Sequence, residues 1–177
     1  MGTKTKNSYL KEKLFIRIKN LPERDINVLD VFSGEQIIWR WIKNNFNFRI
    51  NYFPIDIVDY GYFGVIGDNL EYLESLNLDN FDVIDLDSYG IPIEQLEIIF
   101  QKKYKGIVFI TFIQSIYGNL SKKLLKIIGI NEEMYDKCPS IFNKDGFKKL
   151  KQYLSIRGVE EVEYIKIKRK VYAKICC

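Results

Sequence analysis

Two short segments of the sequence, residues 26–34 and 81–90, hold the residues best suited to chemistry. Each is an apolar run that ends in carboxylates and a turn of small residues. Buried parallel strands deliver polar groups to the carboxyl edge of their sheet in this way. A carboxylate at that edge accepts hydrogen bonds from hydroxyl groups or pairs with a cationic ligand. We therefore expect the two segments to lie side by side and to form one ligand site.

The first segment, INVLDVFSG, predicts a strand over residues 27–31, a tight turn and then a helix over about residues 35–44. Gly34 lets a ligand approach the backbone without an intervening side chain, and Asp30 ends the strand before it. Gln36 stands where a G-x-G-x-x-G sequence has its second glycine. The fingerprint of a dinucleotide-binding site is therefore absent, which disfavours a nucleotide-dependent oxidoreductase.

The second segment, FDVIDLDSYG, predicts a strand over residues 81–86 whose end carries Asp85 and Asp87. We expect these two carboxylates to project to opposite faces of the strand, so that only Asp87 faces the ligand. Asp87 has a second interpretation, because an aspartate at a strand end also caps the helix that follows. Pro92 marks the start of that helix, at a favourable first-turn position.

The two segments resemble motifs of class I S-adenosylmethionine-dependent methyltransferases. VLDVFSG is similar to the first motif, and FDVIDLDSYG to the fourth, in the form used by amino-group methyltransferases of nucleic acids. The nearest type is the tRNA guanine-N2 dimethyltransferase, which has D-P-Y-G where this chain has DSYG. Residues 65–73 resemble the motif whose acid meets the adenine amino group, and the likeness spans about residues 26–118. The chain departs from the family pattern at Gln36, which replaces a glycine, and at Ser88, which replaces a proline.

The resemblance implies a Rossmann-like methyltransferase fold, which is an α/β fold with a mostly parallel twisted sheet and a C-terminal antiparallel hairpin. It also implies S-adenosylmethionine as the cofactor. The cofactor-binding residues that it implies are Asp30, Phe32, Gly34, Asp56, Asp68, Asn69 and Asp85.

Two of these acids have roles that the resemblance makes specific. Asp56 is the implied partner of the ribose hydroxyls, with Asp59 as its competitor, because one carboxylate accepts hydrogen bonds from two neighbouring hydroxyls. Asp68 and Asn69 precede a helix over residues 69–75. We expect one of them to cap this helix and the other to face the ligand.

The resemblance further implies that Asp87, Ser88 and Tyr89 are catalytic. An exocyclic amino nitrogen is a poor nucleophile, because its lone pair is delocalised into the base. An acceptor at Asp87 and Ser88 would hold the amine with its lone pair towards the methyl group, and Tyr89 would stack on the flipped base.

The rest of the chain alternates strands and helices, which predicts one α/β domain over residues 26–177 after a basic lead-in at residues 1–25. The pattern LFIRI at residues 14–18 predicts a short strand. Gln114, Ser115 and Tyr117 are expected to border the substrate site. Other strands are predicted at residues 49–57, 106–112 and 159–175, and the last of these is a pair of strands that turns near residues 168–170. Other helices are predicted at residues 93–104, 119–128 and 144–154. Residues 131–140 show no clear pattern.

Acidic and basic residues are segregated along the chain, whose formal net charge is +4. Residues 50–101 contain eleven acidic residues and no lysine or arginine, whereas residues 144–175 contain ten basic and four acidic residues. Residues 1–49 are also basic, with ten basic and five acidic residues. An acidic centre between basic flanks suits a cationic sulfonium cofactor beside a polyanionic substrate, although solvated helix faces also account for several of these acids. We expect nucleic acid, with RNA favoured, to bind through the basic N- and C-terminal segments.

The composition disfavours several other classes of site. The chain has no histidine, and Cys138, Cys176 and Cys177 form no C-x-x-C pair. Disulfide frameworks, thiolate-rich zinc sites and catalytic dyads with histidine are therefore disfavoured, and no metal is expected. No apolar run reaches the roughly 18 residues of a membrane span, and no signal-peptide pattern begins the chain, so a soluble cytoplasmic protein is expected.

Two functional hypotheses remain open. The first is a methyltransferase that moves a methyl group from S-adenosylmethionine to an amino nitrogen of a base. The second is a non-catalytic relative that keeps the fold and binds nucleic acid or a partner protein, which Gln36 and Ser88 favour. The short chain has no separate recognition domain, so a homodimer or a partner subunit is expected to help select the substrate.

Overall fold

A computed structural model of the chain describes residues 9–47, 49–114 and 120–177. The helices are α1 Leu10–Asn20, α2 Ile37–Asn45, α3 Asn69–Ser75, α4 Ile93–Gln101, α5 Lys122–Ile127, α6 Glu132–Lys137, α7 Pro139–Phe142 and α8 Gly146–Ile156. The strands are β1 Ile26–Asp30, β2 Ile50–Asp56, β3 Val65–Ile66, β4 Val83–Leu86, β5 Ile107–Ile113, β6 Val162–Ile167 and β7 Lys170–Cys176.

The seven strands form one sheet in the order β3-β2-β1-β4-β5-β7-β6. Strands β1 to β5 pair in parallel, and β7 runs antiparallel to both of its neighbours, β5 and β6. The predicted α/β class, the mostly parallel sheet and the C-terminal hairpin are therefore confirmed. The chain order reverses at β1, which lies between β2 and β4, and ligands bind at such switch points in open α/β sheets.

Each face of the sheet is covered by its own apolar cluster. Along β1, Val28 packs with α1 and α2, whereas Leu29 packs with the cluster that includes α4 and α8. The same alternation places Val83 on the first face and Ile84 on the second, as the two-residue period of a strand requires. The sheet is therefore buried on both sides, which explains why its central strands read as continuous apolar runs.

The predicted strand at residues 14–18 is wrong, because these residues lie in α1. Leu10, Leu14 and Ile18 are spaced four residues apart and pack together against the sheet. The neighbouring residues Ile16 and Arg17 are both buried, which a strand with one buried face does not allow, whereas Phe15 is 58% exposed. The sequence here fits both the two-residue period of a strand and the 3.6-residue period of a helix. The packing of Leu10, Leu14 and Ile18 along one side of α1 decides in favour of the helix.

Several other elements lie close to their predicted positions. Helix α3 has the predicted bounds, and the final hairpin turns at Lys168, a non-glycine residue with φ 54°. The region without a clear pattern, residues 131–140, forms α6 and the start of α7. Ser115, Tyr117 and the predicted helix start at residue 119 lie outside the described residues. None of the helices in the described ranges has both the length and the apolar character needed to cross a bilayer.

Candidate ligand-binding site at the carboxyl edge of the sheet

A cavity with a volume of about 370 Å³ lies where β1, β2, β4 and β5 end. The predicted site residues that line it are Asp30, Phe32, Gly34, Asp56, Asp85, Asp87, Ser88 and Tyr89. Asp68 and Asn69 instead line a neighbouring hollow of about 210 Å³, and Asp56 and Phe32 border both spaces. The two segments that end in carboxylates therefore do meet at one edge of the sheet.

The loop after β1 is held by two residues with left-handed backbone conformations. Gly34 has φ 49°, and Gln36 has φ 56°, which is uncommon for a residue with a side chain. The Gln36 amide N–H donates to the Ser33 carbonyl at 2.8 Å, and its side-chain Nε2 donates to the Phe63 carbonyl. These contacts explain how glutamine is held at the position where the family pattern has glycine.

Asp56 ties the loop after β1 to the loop after β2. Its carboxylate accepts hydrogen bonds from the amide N–H of Gly34 at 2.8 Å and of Val58 at 3.0 Å. Each carboxylate oxygen keeps a further lone pair, and the side chain is partly exposed to the cavity. Asp56 thus fixes the shape of the cavity wall and can still accept a hydrogen bond from a ligand hydroxyl. Asp59, its competitor, accepts from the Gly61 amide instead and lies outside this cavity.

The expectation that Asp85 and Asp87 project to opposite faces of β4 is wrong. Both carboxylates contact α1, where Arg17 binds Asp85 and Lys13 binds Asp87. Side chains two residues apart share one face of a strand, and both of these aspartates line the cavity. A single helix therefore neutralises the pair, through two cations spaced one turn apart.

Asp85 and Arg17 form a buried bidentate ion pair, with each side chain 1% exposed. Arg17 Nε donates to Asp85 Oδ2 at 2.7 Å and Nη2 donates to Oδ1 at 2.6 Å. Trp39 Nε1 adds a third hydrogen bond at 2.7 Å, so the carboxylate joins α1 and α2 to the end of β4. Burial lowers the pKa of Arg17, but the charge of Asp85 outweighs it and raises the pKa above its usual value, so the guanidinium keeps its proton.

Asp87 accepts hydrogen bonds from Lys13 at 2.6 Å and from the Thr111 hydroxyl at 2.5 Å. Burial raises the pKa of Asp87, but the charges of Arg17 and Lys13 outweigh it, and the pKa lies below its usual value. Asp87 is therefore a carboxylate at neutral pH, held by β5 and α1. It acts as an acceptor rather than as a proton donor.

Asp30 lies in a different environment, although it ends the neighbouring strand. It is 5% exposed and accepts a hydrogen bond from the Tyr52 hydroxyl at 2.7 Å. Its Oδ1 has no hydrogen-bond partner among the described residues. Burial, together with the charge of Asp85, raises the pKa of Asp30 well above its usual value. Asp30 therefore favours its protonated form more than Asp87 does, and its unpartnered Oδ1 is buried in the cavity wall.

Ser88 and Tyr89 differ sharply in exposure. The Ser88 side chain is buried and donates weakly to the Thr111 carbonyl at 3.4 Å, which directs it towards β5. Tyr89 is 79% exposed at the cavity mouth, and Gly90 follows it with φ 116°. Tyr89 therefore offers an open ring face, whereas Ser88 anchors the turn.

The hollow beside Asp56 contains the two polar residues at the start of α3. Asp68 Oδ1 accepts from the Leu70 amide at 2.7 Å, which is the capping role expected for one of the pair. Asn69 Oδ1 accepts from Gln95 Nε2 at 2.8 Å and so joins α3 to α4. Ile57, 69% exposed, borders the same hollow and gives it an apolar wall.

Sequence reasoning missed the cations of the site. Lys13 and Arg17 are four residues apart, and the helical stripe Leu10, Leu14 and Ile18 was the signal that places them on one helix. Thr111 and Trp39 carry no such signal, because their partners come from distant parts of the chain. Among the described residues, no group of three or more side chains that ligate metals is found.

Solved structures of other proteins share this fold. A putative rRNA methylase from Clostridium thermocellum matches with a TM-score of 0.55 and 11% identity, over 98% of this chain and 99% of that one. A putative S-adenosylmethionine-dependent methyltransferase from Methanococcus maripaludis matches with a TM-score of 0.53 and 16% identity, over 93% and 84%. Phosphoethanolamine N-methyltransferase 2 from Haemonchus contortus, in complex with S-adenosylhomocysteine, matches with a TM-score of 0.53 and 15% identity, over 88% and 38%.

The chain therefore has the Rossmann-like methyltransferase fold that the resemblance implied. It spans 38% of the length of the Haemonchus enzyme and 65% of a matched protein from Bordetella parapertussis. No protein-family model matches the sequence. No curated protein matches it either.

Proposed function

We propose that this protein is an S-adenosylmethionine-dependent methyltransferase that acts on an amino nitrogen of a nucleic-acid base, with RNA favoured over DNA. One observation carries the proposal. The glycine turn after β1, the carboxylate after β2 and the Asp87-Ser88-Tyr89 turn after β4 line one cavity at the switch point of the sheet. The methyltransferases with the same fold support the choice of cofactor.

The cavity and the neighbouring hollow fit the parts of S-adenosylmethionine. A Cβ added at Gly34 would meet nothing within 4 Å, so the glycine leaves an open cradle in the cavity wall. Asp56 is placed to accept from the ribose hydroxyls, and the hollow at Ile57 and Asp68 suits adenine. Asp30 Oδ1 has no partner among the described residues and borders the space left for the methionine part. The cofactor supplies the electrophilic methyl group.

The residues after β4 would orient the base. The carbonyl groups of the Asp87-Ser88 turn and the free lone pairs of the Asp87 carboxylate can accept the two protons of an amino group. Tyr89 can stack on a base that has left its helix, because its ring is exposed at the cavity mouth. Since the low pKa of Asp87 keeps it charged, the residue positions the amine without acting as the base that removes its proton.

A second candidate function is a non-catalytic member of the same fold that binds nucleic acid or a partner protein. The observation that favours it is the position of Lys13, whose ammonium group lies in the cavity at 2.6 Å from Asp87. A cation at this position repels the positively charged sulfonium group of S-adenosylmethionine, and it occupies one oxygen of the Asp87 carboxylate that would accept a hydrogen bond from the substrate. In either case, we propose that a homodimer or a partner subunit contributes to substrate selection in the cell.

Calorimetric titration with S-adenosylmethionine and S-adenosylhomocysteine tests the cofactor directly. Gly34→Asn fills the cradle, and asparagine tolerates the left-handed conformation. Gly61→Asn is the matched control, because Gly61 has φ 73°, has open space around it and lies outside the cavity. We expect micromolar binding that weakens at least about tenfold in Gly34→Asn alone. Wild-type protein that gives no binding heat with either compound would contradict the enzyme and favour the second candidate.

A further inference from the structure

A second cavity, which we call the basic cleft, lies on the opposite face of the sheet from α1. It has a volume of about 770 Å³. The cationic side chains that line it are Lys144, Lys148, Lys151, Lys166, Lys168 and Arg169, and Asp145 is the one acidic residue among its lining residues in the described chain. Such an excess of one charge in a concave surface attracts polyanions.

Three cations of the basic cleft have no carboxylate partner among the described residues. Lys148, Lys166 and Arg169 are exposed, and none of them forms an ion pair with a carboxylate in the described part of the chain. Lys148 and Lys149 also occupy the first turn of α8, which has no acidic residue. Cations are unfavourable at a helix N-terminus, and the acidic residue nearest in sequence is Asp145, which precedes the first turn.

Aromatic rings lie among these cations. Tyr164 is 46% exposed, and its ring packs edge-on against Phe147 with 4.9 Å between centroids. Lys151 Nζ lies 5.4 Å from the Tyr164 centroid and 5.6 Å from that of Phe147. The ring of Tyr164 is thus held by Phe147 and Lys151 while nearly half of the residue stays exposed. A fixed aromatic ring beside lysines suits an unpaired base whose phosphates lie along the cations.

The basic cleft is adjacent to the cavity of about 370 Å³ at the ends of β1, β2, β4 and β5, which we call the cofactor cavity because we propose that it binds S-adenosylmethionine. Phe112 and Val171 pair across β5 and β7 and line the basic cleft, whereas the next pair, Ile113 and Lys170, lines the cofactor cavity. A strand of nucleic acid that crosses this edge of the sheet passes from one space to the other. Unpaired nucleotides, rather than a duplex, match both the aromatic ring and the need to present a free base.

We propose that the basic cleft binds the single-stranded part of the nucleic-acid substrate and leads its target base over the sheet edge into the cofactor cavity. This rests on the proposed function for the identity of the reaction, but not for the binding itself. Phosphates lie along Lys148, Lys166 and Arg169, and Tyr164 stacks on a base.

Fluorescence anisotropy with a labelled single-stranded RNA of about 12 nucleotides, and with the same sequence as DNA, tests the basic cleft. The variant is Lys148→Gln/Lys166→Gln, and the matched control is Lys43→Gln/Lys126→Gln, which removes the same charge from exposed positions on α2 and α5. Each lost phosphate contact lowers the salt slope by about 0.7, so the variant should bind about tenfold more weakly at about 0.15 M salt. The control should bind as the wild type does.

Tyr164 provides a second measurement that does not depend on charge. Tyr164→Ala should weaken binding about fivefold or more, whereas Tyr164→Phe, which keeps the ring, should restore it. Equal affinities of the cleft and control variants, or no binding by the wild type, would overturn the proposal. A preference for RNA or for DNA identifies the natural strand.

Calorimetry with S-adenosylmethionine on the same variants separates the two proposals. All of them should bind the cofactor as the wild type does, because the substitutions lie outside its cavity. If the cleft variants lose RNA binding and neither they nor the wild type bind the cofactor, the RNA-binding role of the basic cleft stands and the methyltransferase proposal is rejected. Cofactor binding together with unchanged RNA affinity in the cleft variants would reject the basic cleft alone.

Discussion

The cofactor cavity and the basic cleft lie on either side of the same strand pair, β5 and β7, yet they organise charge in opposite ways. In the cavity, the charges of Asp85 and Asp87 are paired and held by Arg17 and Lys13. In the cleft, the cations are exposed to solvent. The first arrangement suits a site that must fix one geometry, and the second suits attraction of a chain whose sequence and shape vary. Each of the predictions below separates these two kinds of electrostatics.

The largest expected effect is the loss of the buried ion pair. Arg17→Met leaves Asp85 buried without a charge partner and should lower the free energy of unfolding by about 3–5 kcal/mol. Arg24→Met breaks the ion pair with Asp82, in which the arginine side chain is 60% exposed, and should cost far less, because solvent screens an exposed pair. Urea denaturation of both variants measures the difference. Equal losses would mean that Arg17 does not stabilise the end of β4.

The next effect is the salt dependence of the two binding events. With the three phosphate contacts proposed for the basic cleft, RNA affinity should fall about 20-fold between about 50 and 200 mM salt. Cofactor affinity should change little over the same range, because the charges of its cavity are already paired and partly buried. Anisotropy and calorimetry over one salt series test this. A cofactor affinity that falls as steeply as the RNA affinity would contradict the distinction between the two sites.

Asp30 and Asp87 should show opposite pH dependence within the cofactor cavity. The raised pKa of Asp30 gives stability that is complete below its unfolded pKa and lost as pH rises through its folded pKa. Asp30→Asn should therefore gain stability relative to the wild type as pH rises from about 4 to 8. The lowered pKa of Asp87 means that its carboxylate stabilises the folded protein at pH values above its unfolded pKa. Asp87→Asn should therefore be less stable than the wild type at neutral pH, and this difference in stability should shrink as pH falls below the unfolded pKa. Thermal unfolding from about pH 2 to about pH 8 covers both changes, because the Asp87 effect falls below the unfolded pKa of an aspartate, and parallel curves would refute the assignment.

The smallest expected effect concerns the start of α8. Lys148→Gln removes a cation from the first turn and should stabilise the protein by about 0.3–1 kcal/mol while it weakens RNA binding. Lys126→Gln, in the last turn of α5, should not stabilise it. Chemical denaturation beside the binding assay measures the two effects. A loss of stability in Lys148→Gln would show that this lysine serves the fold rather than a ligand.

The sequence predicted those parts of the molecule that depend on short-range pattern. Strand β4, helix α3 and the final hairpin follow from apolar runs, a capping aspartate and alternation, and all were found close to their predicted positions. The convergence of Asp30, Gly34 and Asp87 on one cavity followed from parallel strands that end at one edge. These features are local, or they follow from one topological rule.

The sequence could not predict features set by contacts between distant residues. Helix α1 was mistaken for a strand because five residues fit both periods, and with it the cations Lys13 and Arg17 were missed. The turn near residues 168–170 and the basic C-terminal segment were predicted, but the contact of this hairpin with Phe147 and Lys151 of α8 depends on tertiary packing. The pKa difference between Asp30 and Asp87 likewise depends on which strand end receives the cation.

The most direct test of the central claim is the identity of the methylated atom. RNA incubated with the protein and methyl-deuterated S-adenosylmethionine is digested to nucleosides and analysed by mass spectrometry, with Gly34→Asn as the inactive control and Gly61→Asn as the active one. We expect deuterated methyl groups on an exocyclic amino nitrogen, for the wild type and Gly61→Asn only. Label on a ring carbon or a ribose oxygen, or no label in RNA in the presence of measured cofactor binding, would contradict the proposed activity.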